Sequence, residues 1–183
     1  MQVFWYDLPA GGEAKTEVDL LTQARLKSLL HYDPETGTFT WLPGTGGKGR
    51  PFKSRPAGGP GNEGYWRIWI DGRFYAASHV AWLFMTGVLP AGQIDHINRQ
   101  PSDNRLANLR LATQTQNKAN SGAYKNNKLG IKGVRRHRNG TFEARIRVNR
   151  DLKYLGCYRT IEEAKAVYDR AASDYFGEFA RTA

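Results

Sequence analysis

Four residues between positions 95 and 117 have the types and the spacing that hydrolysis of a phosphodiester bond requires. Asp95 and His96 are adjacent, eleven residues separate His96 from Asn108, and eight separate Asn108 from Asn117. Such hydrolysis needs a base for water, and imidazole has a suitable unperturbed pKa. It also needs a hard cation, and carboxylate and amide oxygens suit Mg²⁺ or Mn²⁺. Singly, each residue is more often a surface turn or a solvated side chain.

The sequence around these residues predicts the elements that hold them. Residues 113–116, Thr-Gln-Thr-Gln, form a capping box, so a helix should begin near Gln114 and carry Asn117 on about its first turn. We expect a strand that ends at Asp95-His96, then a loop, then a second strand through Asn108. Three leucines would anchor that second strand: Leu106, Leu109 and Leu111.

With this spacing, residues 65–120 resemble the HNH nuclease family, whose fold is the ββα-metal or His-Me finger. The resemblance implies that His96 is the general base and that Asn108 braces the loop and orients His96. It implies that Asp95 and Asn117 hold the metal, Mg²⁺ or Mn²⁺. The protein would then hydrolyse DNA.

The resemblance extends upstream to His79, which matches the first His of the family and has a structural role more often than a chemical one. Two positions depart from the family pattern. Arg usually follows that first His, and here Val80 follows it. A Gly often follows the Asp-His pair by three or four residues, where this chain has Arg99 and Gln100. Neither departure removes a catalytic atom, but both leave the geometry of the loop open.

Composition limits the class of protein. The 183 residues suffice for one or two small domains. The single cysteine, Cys157, excludes an internal disulfide and a Cys-x-x-Cys zinc site. No apolar run has the length of a membrane span, and no secretory signal is visible, so we expect a cytoplasmic protein with no membrane partner.

Positive charge is concentrated in one segment. The net charge of the chain is +10, and residues 121–159 hold eleven Lys or Arg against Glu143 and Asp151. Scattered surface lysines are usually solubilising, but here arginine outnumbers lysine and the charges alternate with apolar residues. This segment therefore predicts a structured nucleic-acid face.

The elements predicted after residue 130 form a second folding pattern. Residues 132–137, 141–148 and 153–158 have the character of three short strands, and a second capping box at 160–163 begins a helix with an apolar stripe. In the middle strand, one face carries Ala144, Ile146 and Val148, and the other carries Arg145 and Arg147. We expect a three-stranded antiparallel sheet packed on one helix, with an open arginine-rich face.

This segment resembles the plant ethylene-response-factor (APETALA-type) DNA-binding domain over its whole length. Short motifs carry the resemblance: Gly133-Val134, Leu155-Gly156, Tyr168-Asp169 and Ala171-Ala172. Such domains lay their sheet in the DNA major groove, and the matching contact positions are Arg135, His137, Asn139, Arg145, Arg147, Lys153 and Tyr154. Asn139 stands where the family often has Trp, and Arg145 where plant members often carry an acid, so the plant sequence preference is not transferred.

The remaining pattern concerns the first 87 residues. A short helix is expected over residues 20–31 with Thr22 as a possible cap, then a strand over 38–42 and a long Gly- and Pro-rich basic loop over 43–64. Residues 65–77 predict a hairpin with an Asp71-Gly72 turn. Ser78 would cap the next helix, which should end at Gly87.

The sequence therefore predicts an α+β protein of four parts: an N-terminal region (1–64), a nuclease module (65–120), a basic linker (121–130) and a DNA-binding domain (131–183). The predicted function is that of a metal-dependent endonuclease, of nicking or homing type and of phage or mobile-element origin. It would act on double-stranded DNA as a monomer or weak dimer. Two alternatives stay open: a non-catalytic DNA-binding transcriptional regulator, and an enzyme that acts on RNA, which the narrow A-form major groove disfavours.

Overall fold

The computed structural model describes residues 21–45, 55–61, 64–124 and 126–181. The chain divides into two compact units, Met1–Leu111 and Ala112–Ala183. Both units contain helices and strands, so the predicted α+β class is confirmed. Residues 1–20, and residues 46–54 and 62–63 of the predicted basic loop, lie outside the described residues. No helix in the described ranges is long and apolar enough to cross a membrane.

The described part of the first unit begins with a helix and a hairpin. They are α1 (Gln23–Leu29), β1 (Leu30–Asp33) and β2 (Thr38–Trp41). Thr22 caps α1, as expected, and its side chain accepts a hydrogen bond from the Arg25 N–H at 3.1 Å. The helix is shorter than predicted because Leu30 is already extended and pairs with Trp41 across the hairpin.

A second sheet and a helix complete the support of the predicted site. They are β3 (Gly59–Pro60), β4 (Trp66–Ile70), β5 (Arg73–Ala76) and α2 (Ala77–Thr86), and the sheet order is β3-β4-β5. The hairpin turn at Asp71-Gly72 is confirmed, and both residues have positive φ. The left-handed Gly87 ends α2, as expected.

Two local predictions for this region are wrong. Ser78 is not the cap of α2, because the helix begins one residue earlier and its N-cap, Ala76, makes no side-chain capping bond. Ser78 instead lies buried in the first turn. The segment 43–64 is not all loop either, since β3 pairs with β4 and Pro56 forms a bridge with Thr40.

The residues around the predicted site form β6 (Gln93–His96), a 3₁₀ turn (Leu106–Asn108), β7 (Leu109–Ala112) and α3 (Gln114–Asn120). Strands β6 and β7 pair, and β6 ends at His96 as predicted. The Thr113–Gln116 capping box is confirmed. The strand expected through Asn108 begins one residue later, because Asn108 closes the 3₁₀ turn.

The core of the first unit is one apolar cluster to which each of these layers contributes. Its fully buried members include Leu26 of α1, Leu30 of β1, Ile68 of β4, Val80 of α2 and, at the edge, Ile94 of β6. Since β6 packs into this cluster, the residues at its end, Asp95 and His96, sit on a rigid base.

The second unit contains a three-stranded antiparallel sheet and a long helix. These are β8 (Val134–Arg136), β9 (Phe142–Val148), β10 (Asp151–Tyr158) and α4 (Ile161–Phe176), with sheet order β10-β9-β8. The Thr160–Glu163 capping box begins α4, as predicted. Ala144 and Ile146 share a buried core with Ala164, Tyr168 and Ala172.

Candidate active site and nucleic-acid interface

The imidazole of His96 is buried and held by an amide that we did not assign to the site from the sequence. Its Nε2 lies 3.3 Å from Oδ1 of Asn104, and Nδ2 of the same amide donates to the Ser102 carbonyl at 3.1 Å. Because an amide oxygen only accepts hydrogen bonds, Nε2 carries the ring proton. The lone pair therefore lies on Nδ1, the atom that can act as a base.

The surroundings of His96 favour its neutral form. Burial lowers the pKa of the imidazole below its ordinary value, against the opposing effects of the Asn104 hydrogen bond and the negative charge of Asp95. A general base must be unprotonated before it accepts a proton from water. A pKa below the ordinary value of imidazole leaves His96 in that state at neutral pH.

His79 lies on α2 and is electrostatically coupled to His96. Burial, together with the neighbouring charge that a protonated His96 would carry, lowers the pKa of His79 to about 4. Its Nδ1 lies 3.5 Å from the hydroxyl of Ser78. A half-buried neutral imidazole fits the structural role predicted for His79, which stays a prediction.

Asp95 is 4 % exposed and forms an ion pair with Arg110 of β7. Its Oδ2 accepts from Nε and from Nη2 of Arg110, both at 2.9 Å. No feature of the sequence selects Arg110, because only the β6–β7 pairing brings a residue fifteen positions away beside this carboxylate. The arginine fixes the carboxylate and offsets the cost of burying it.

The chemistry of the donors fits a hard divalent cation. Asp95 offers a carboxylate and Asn117 an amide oxygen, which are the ligands that Mg²⁺ and Mn²⁺ prefer. Asn117 lies on α3, in the second unit. In the part of the chain that the structure describes, no group of three or more His, Cys, Asp or Glu is arranged for a metal, so these two oxygen ligands stay a prediction.

Asn108 braces the loop between β6 and β7. Its Oδ1 accepts from the Asn98 N–H at 2.9 Å, and its Nδ2 donates to the Asp103 carbonyl at 2.8 Å. These two hydrogen bonds are compatible with the bracing role expected of Asn108, which stays a prediction. We expected Asn108 also to orient His96, but the hydrogen bond to the His96 ring is made by a different residue, Asn104.

The N-terminal hairpin supports the same loop. The buried hydroxyl of Tyr32 donates to the Asn104 carbonyl at 2.8 Å and accepts from the Leu106 N–H at 3.0 Å. At the hairpin turn, a Cβ on Gly37 would lie 2.4 Å from the Arg105 nitrogen, so only glycine allows this approach. The sequence did not indicate this support, because the partners are more than 65 residues apart.

The sheet of the second unit and the turn between β8 and β9 carry the seven predicted DNA-contacting residues, and these residues have different surroundings. Arg135, His137 and Arg145 all contact the carboxylate of Glu143. Lys153 contacts Tyr175 of α4, with its Nζ 3.2 Å from the hydroxyl and 4.7 Å from the ring centroid. The other three comprise Asn139 in the hairpin turn, where it accepts from Thr141, and the exposed Arg147 and Tyr154.

The prediction of an open arginine-rich face requires a correction. Glu143 lies on the same face as Arg145 and Arg147, and only 2 % of it is exposed. The face is closed at its centre because Arg135 and Arg145 fold over this carboxylate. From the sequence, Glu143 is only one of two acidic residues in a basic segment. The sequence does not show which side chains on one face of the sheet come into contact.

Residues 75–119 match a family model described as HNH endonuclease. The matched segment contains all five residues of the predicted site: His79, Asp95, His96, Asn108 and Asn117. The chain is also similar to an uncharacterized HNH endonuclease of Acanthamoeba polyphaga mimivirus, with 31% identity over 121 residues. That alignment covers 66% of this chain and 63% of the relative, so the chain spans just under two thirds of the relative's length. Both similarities support the HNH part of the resemblance. The ethylene-response-factor part stays a prediction.

Proposed function

We propose that this protein is a metal-dependent HNH endonuclease, of nicking or homing type, that hydrolyses phosphodiester bonds in double-stranded DNA. The observation that carries the proposal is the state of His96. It is a buried, neutral imidazole whose Nε2 proton is engaged by Asn104 and whose neighbour is the buried carboxylate of Asp95. The match of residues 75–119 to HNH endonucleases supports the same conclusion.

In the proposed reaction, Nδ1 of His96 takes a proton from a water molecule. The water oxygen attacks the phosphorus, and the bond from phosphorus to the 3′ oxygen breaks. The departing oxygen takes the bonding electron pair and gains a proton from solvent, which leaves a 5′ phosphate. Before the proton transfer, Asn104 holds the ring in the tautomer that leaves Nδ1 basic, because its own amide is fixed by the Ser102 carbonyl.

Asp95 and Asn117 would hold the divalent cation, Mg²⁺ or Mn²⁺. When bound, such a cation stabilises negative charge on the phosphate and on the departing oxygen. Arg110 keeps the Asp95 carboxylate in one orientation through two hydrogen bonds to Oδ2. The chain order of β6, the loop, β7 and α3 supports a ββα-metal arrangement.

The second unit would bind the target DNA as an ethylene-response-factor-type domain, with its sheet in the major groove. Support comes from the antiparallel order β10-β9-β8, from the core that this sheet shares with α4, and from two exposed side chains, Arg147 on the central strand β9 and Tyr154 on the edge strand β10. One such active site cuts one strand, so we expect a monomer to nick.

A plasmid-nicking assay with Mg²⁺ tests the proposal. The wild type should convert supercoiled DNA to the nicked form, and EDTA should stop it. His96→Ala should lower the rate by about 10²–10⁴, which is the usual loss for a general base. His31→Ala is the matched control, because His31 is an exposed histidine of β1.

Other outcomes would change the assignment. Wild-type protein that binds duplex DNA but never nicks it would be a non-catalytic DNA-binding regulator. Nicking that is unchanged by EDTA would exclude the metal, and His96→Ala with the wild-type rate would exclude the base. Faster cleavage of structured RNA than of duplex DNA would change the substrate.

A further inference from the structure

A buried carboxylate, that of Glu143, lies on the arginine-bearing face of the sheet in the second unit. Oε2 of Glu143 accepts from Nε of Arg135 at 3.0 Å and from Nε2 of His137 at 2.6 Å, and Oε1 forms an ion pair with Arg145. Arg135 is the register partner of Glu143 on the adjacent strand β8, and Arg145 is two residues along β9. One carboxylate therefore contacts three of the seven predicted DNA-contacting side chains.

The negative charge of Glu143 opposes the attraction of a polyanion to this surface. A negative charge weakens the attraction of phosphates, and burial of a carboxylate costs several kcal/mol before its partners compensate. Glu143 is nevertheless 2 % exposed, and Arg135, His137 and Arg145 all contact its carboxylate. Its contribution must therefore be something other than overall attraction.

What Glu143 supplies is a fixed orientation. A guanidinium group has five N–H donors in one plane, and a bond through Nε leaves the outer Nη donors available. The side chains of Arg135 and Arg145 are 58% and 35% exposed, so both still reach solvent beyond the carboxylate. A guanidinium held in this way has already lost the conformational freedom that DNA binding would otherwise remove. Bidentate pairing also requires the guanidinium to lie in the plane of the guanine base, and a fixed orientation favours this.

We propose that Glu143 is a positioning residue that orients Arg135 and Arg145 for contact with base edges, and so increases the preference of this domain for one DNA sequence over others. The proposal rests on the proposed DNA binding of the second unit. Arg147 is exposed on the same face and is not among the Glu143 contacts, so it serves as the comparison for an untethered arginine.

Glu143→Gln in the full chain is the test, because it keeps the size of the side chain and removes the charge. A preferred duplex is first selected from a random library with the wild type, in EDTA to prevent cleavage. Affinity for this duplex and for a scrambled one is then measured at two salt concentrations. We expect weaker binding of the preferred duplex and stronger binding of the scrambled duplex, so that their ratio falls by about tenfold, as for the loss of one bidentate base contact.

Glu162→Gln is the matched control, because Glu162 is an exposed acid in the first turn of α4. It should strengthen binding of both duplexes alike and leave their ratio unchanged. If Glu143→Gln also changes both affinities in the same direction and proportion, the carboxylate acts only as a charge and the proposal is wrong. If the wild type binds neither duplex at low salt, the proposed function of the second unit fails instead.

A second variant and a wild-type measurement cover the case in which Glu143→Gln does not fold. Glu143→Asp keeps the charge but shortens the side chain by one methylene, so it should lower the ratio without strengthening scrambled-duplex binding. In the wild type, the Nε protons of Arg135 and Arg145 should exchange with solvent more slowly than that of Arg147 in an NMR measurement. Equal exchange at the three arginines would contradict the proposed tether.

Discussion

At the scale of single residues, the buried imidazole of His96 depends on one amide. Asn104 is 3 % exposed, and its Oδ1 accepts from His96 while its Nδ2 is held by the Ser102 carbonyl. This arrangement determines which ring nitrogen is basic. It also makes the protonation of His96 sensitive to any charge placed at position 104.

Asn104→Asp should move the pH dependence of nicking. A carboxylate beside the ring stabilises the imidazolium, so the pKa of His96 should rise and the rate should fall most on the acid side. At pH 6 we expect a loss of about tenfold or more relative to the wild type, with a smaller loss at pH 8. The measurement is a pH–rate profile, with Asn126→Asp, an exposed site, as the control. If Asn104→Asp lowers the rate by the same factor at every pH and leaves the midpoint of the pH–rate profile unchanged, the contact between His96 and residue 104 is contradicted.

His79 and His96 should also make the free energy of unfolding depend on pH. The pKa of His79 is lowered from 6.5 to about 4, and that of His96 is also lowered, so the unfolded chain binds protons more readily than the folded one. Their contribution is complete above pH 6.5 and is lost as the pH falls toward 4. For His79 alone we expect a loss of about 2 kcal/mol in the free energy of unfolding between pH 8 and pH 5.

Urea titrations at several pH values measure this loss. His79→Gln should flatten the dependence, and His31→Gln, at an exposed position, should leave it unchanged. A His79→Gln protein with the full wild-type pH dependence would show that His79 titrates normally in the folded state.

At the scale of elements, the hairpin of β1 and β2 is the support of the loop between β6 and β7. Tyr32→Phe removes both the donor to Asn104 and the acceptor for the Leu106 N–H. The amide left buried without its acceptor should cost about 1–3 kcal/mol. The change should lower the nicking rate through the loop, even though Tyr32 itself does not reach the reacting atoms in the proposed mechanism.

Hydrogen exchange at the Leu106 amide measures this support directly. It should be faster in Tyr32→Phe, whereas Tyr124→Phe, at an 81% exposed position, should leave it unchanged. Wild-type exchange at Leu106 together with wild-type nicking in Tyr32→Phe would mean that the hairpin does not hold the loop.

At the scale of the whole molecule, the division of the chain falls before α3 and not after it. Ala119 of α3 packs with Ala112, Phe176 and Phe179. Nζ of Lys132 donates to the carbonyls of Lys118, Ala119 and Ser121 at 2.5, 2.8 and 3.0 Å. The helix that carries Asn117 thus packs with the second unit, whereas the sequence predicts it as part of the nuclease module, residues 65–120.

A fragment of residues 112–183 should therefore unfold cooperatively and at a higher temperature than one of residues 121–183, which lacks the partners of Phe179 and Lys132. We also expect the longer fragment to bind duplex DNA, with an affinity that falls steeply with salt because the basic segment contacts phosphates. Circular dichroism melts and gel shifts at two salt concentrations measure both properties. Equal melting of the two fragments would show that α3 does not stabilise the second unit.

The sequence by itself determined what depends on neighbours a few residues apart. Both capping boxes, the Asp71-Gly72 hairpin turn and the left-handed end of α2 at Gly87 are confirmed, because each requires only local backbone chemistry. The Asp-His pair and the two later asparagines were also recognisable, since their spacing lies within one segment that matches HNH endonucleases. One local prediction, the cap at Ser78, was wrong because the hairpin continues directly into the helix.

The tertiary structure alone decided which side chains meet. Tyr32 contacts a loop 72 residues away, Arg110 reaches Asp95 through strand pairing, and the arginines of the basic face converge on Glu143. Such contacts depend on how layers pack and which register two strands adopt, and neither is encoded in the residues immediately around a site. The sequence therefore indicated the imidazole that we propose as the base, and the fold determined what holds that imidazole in place.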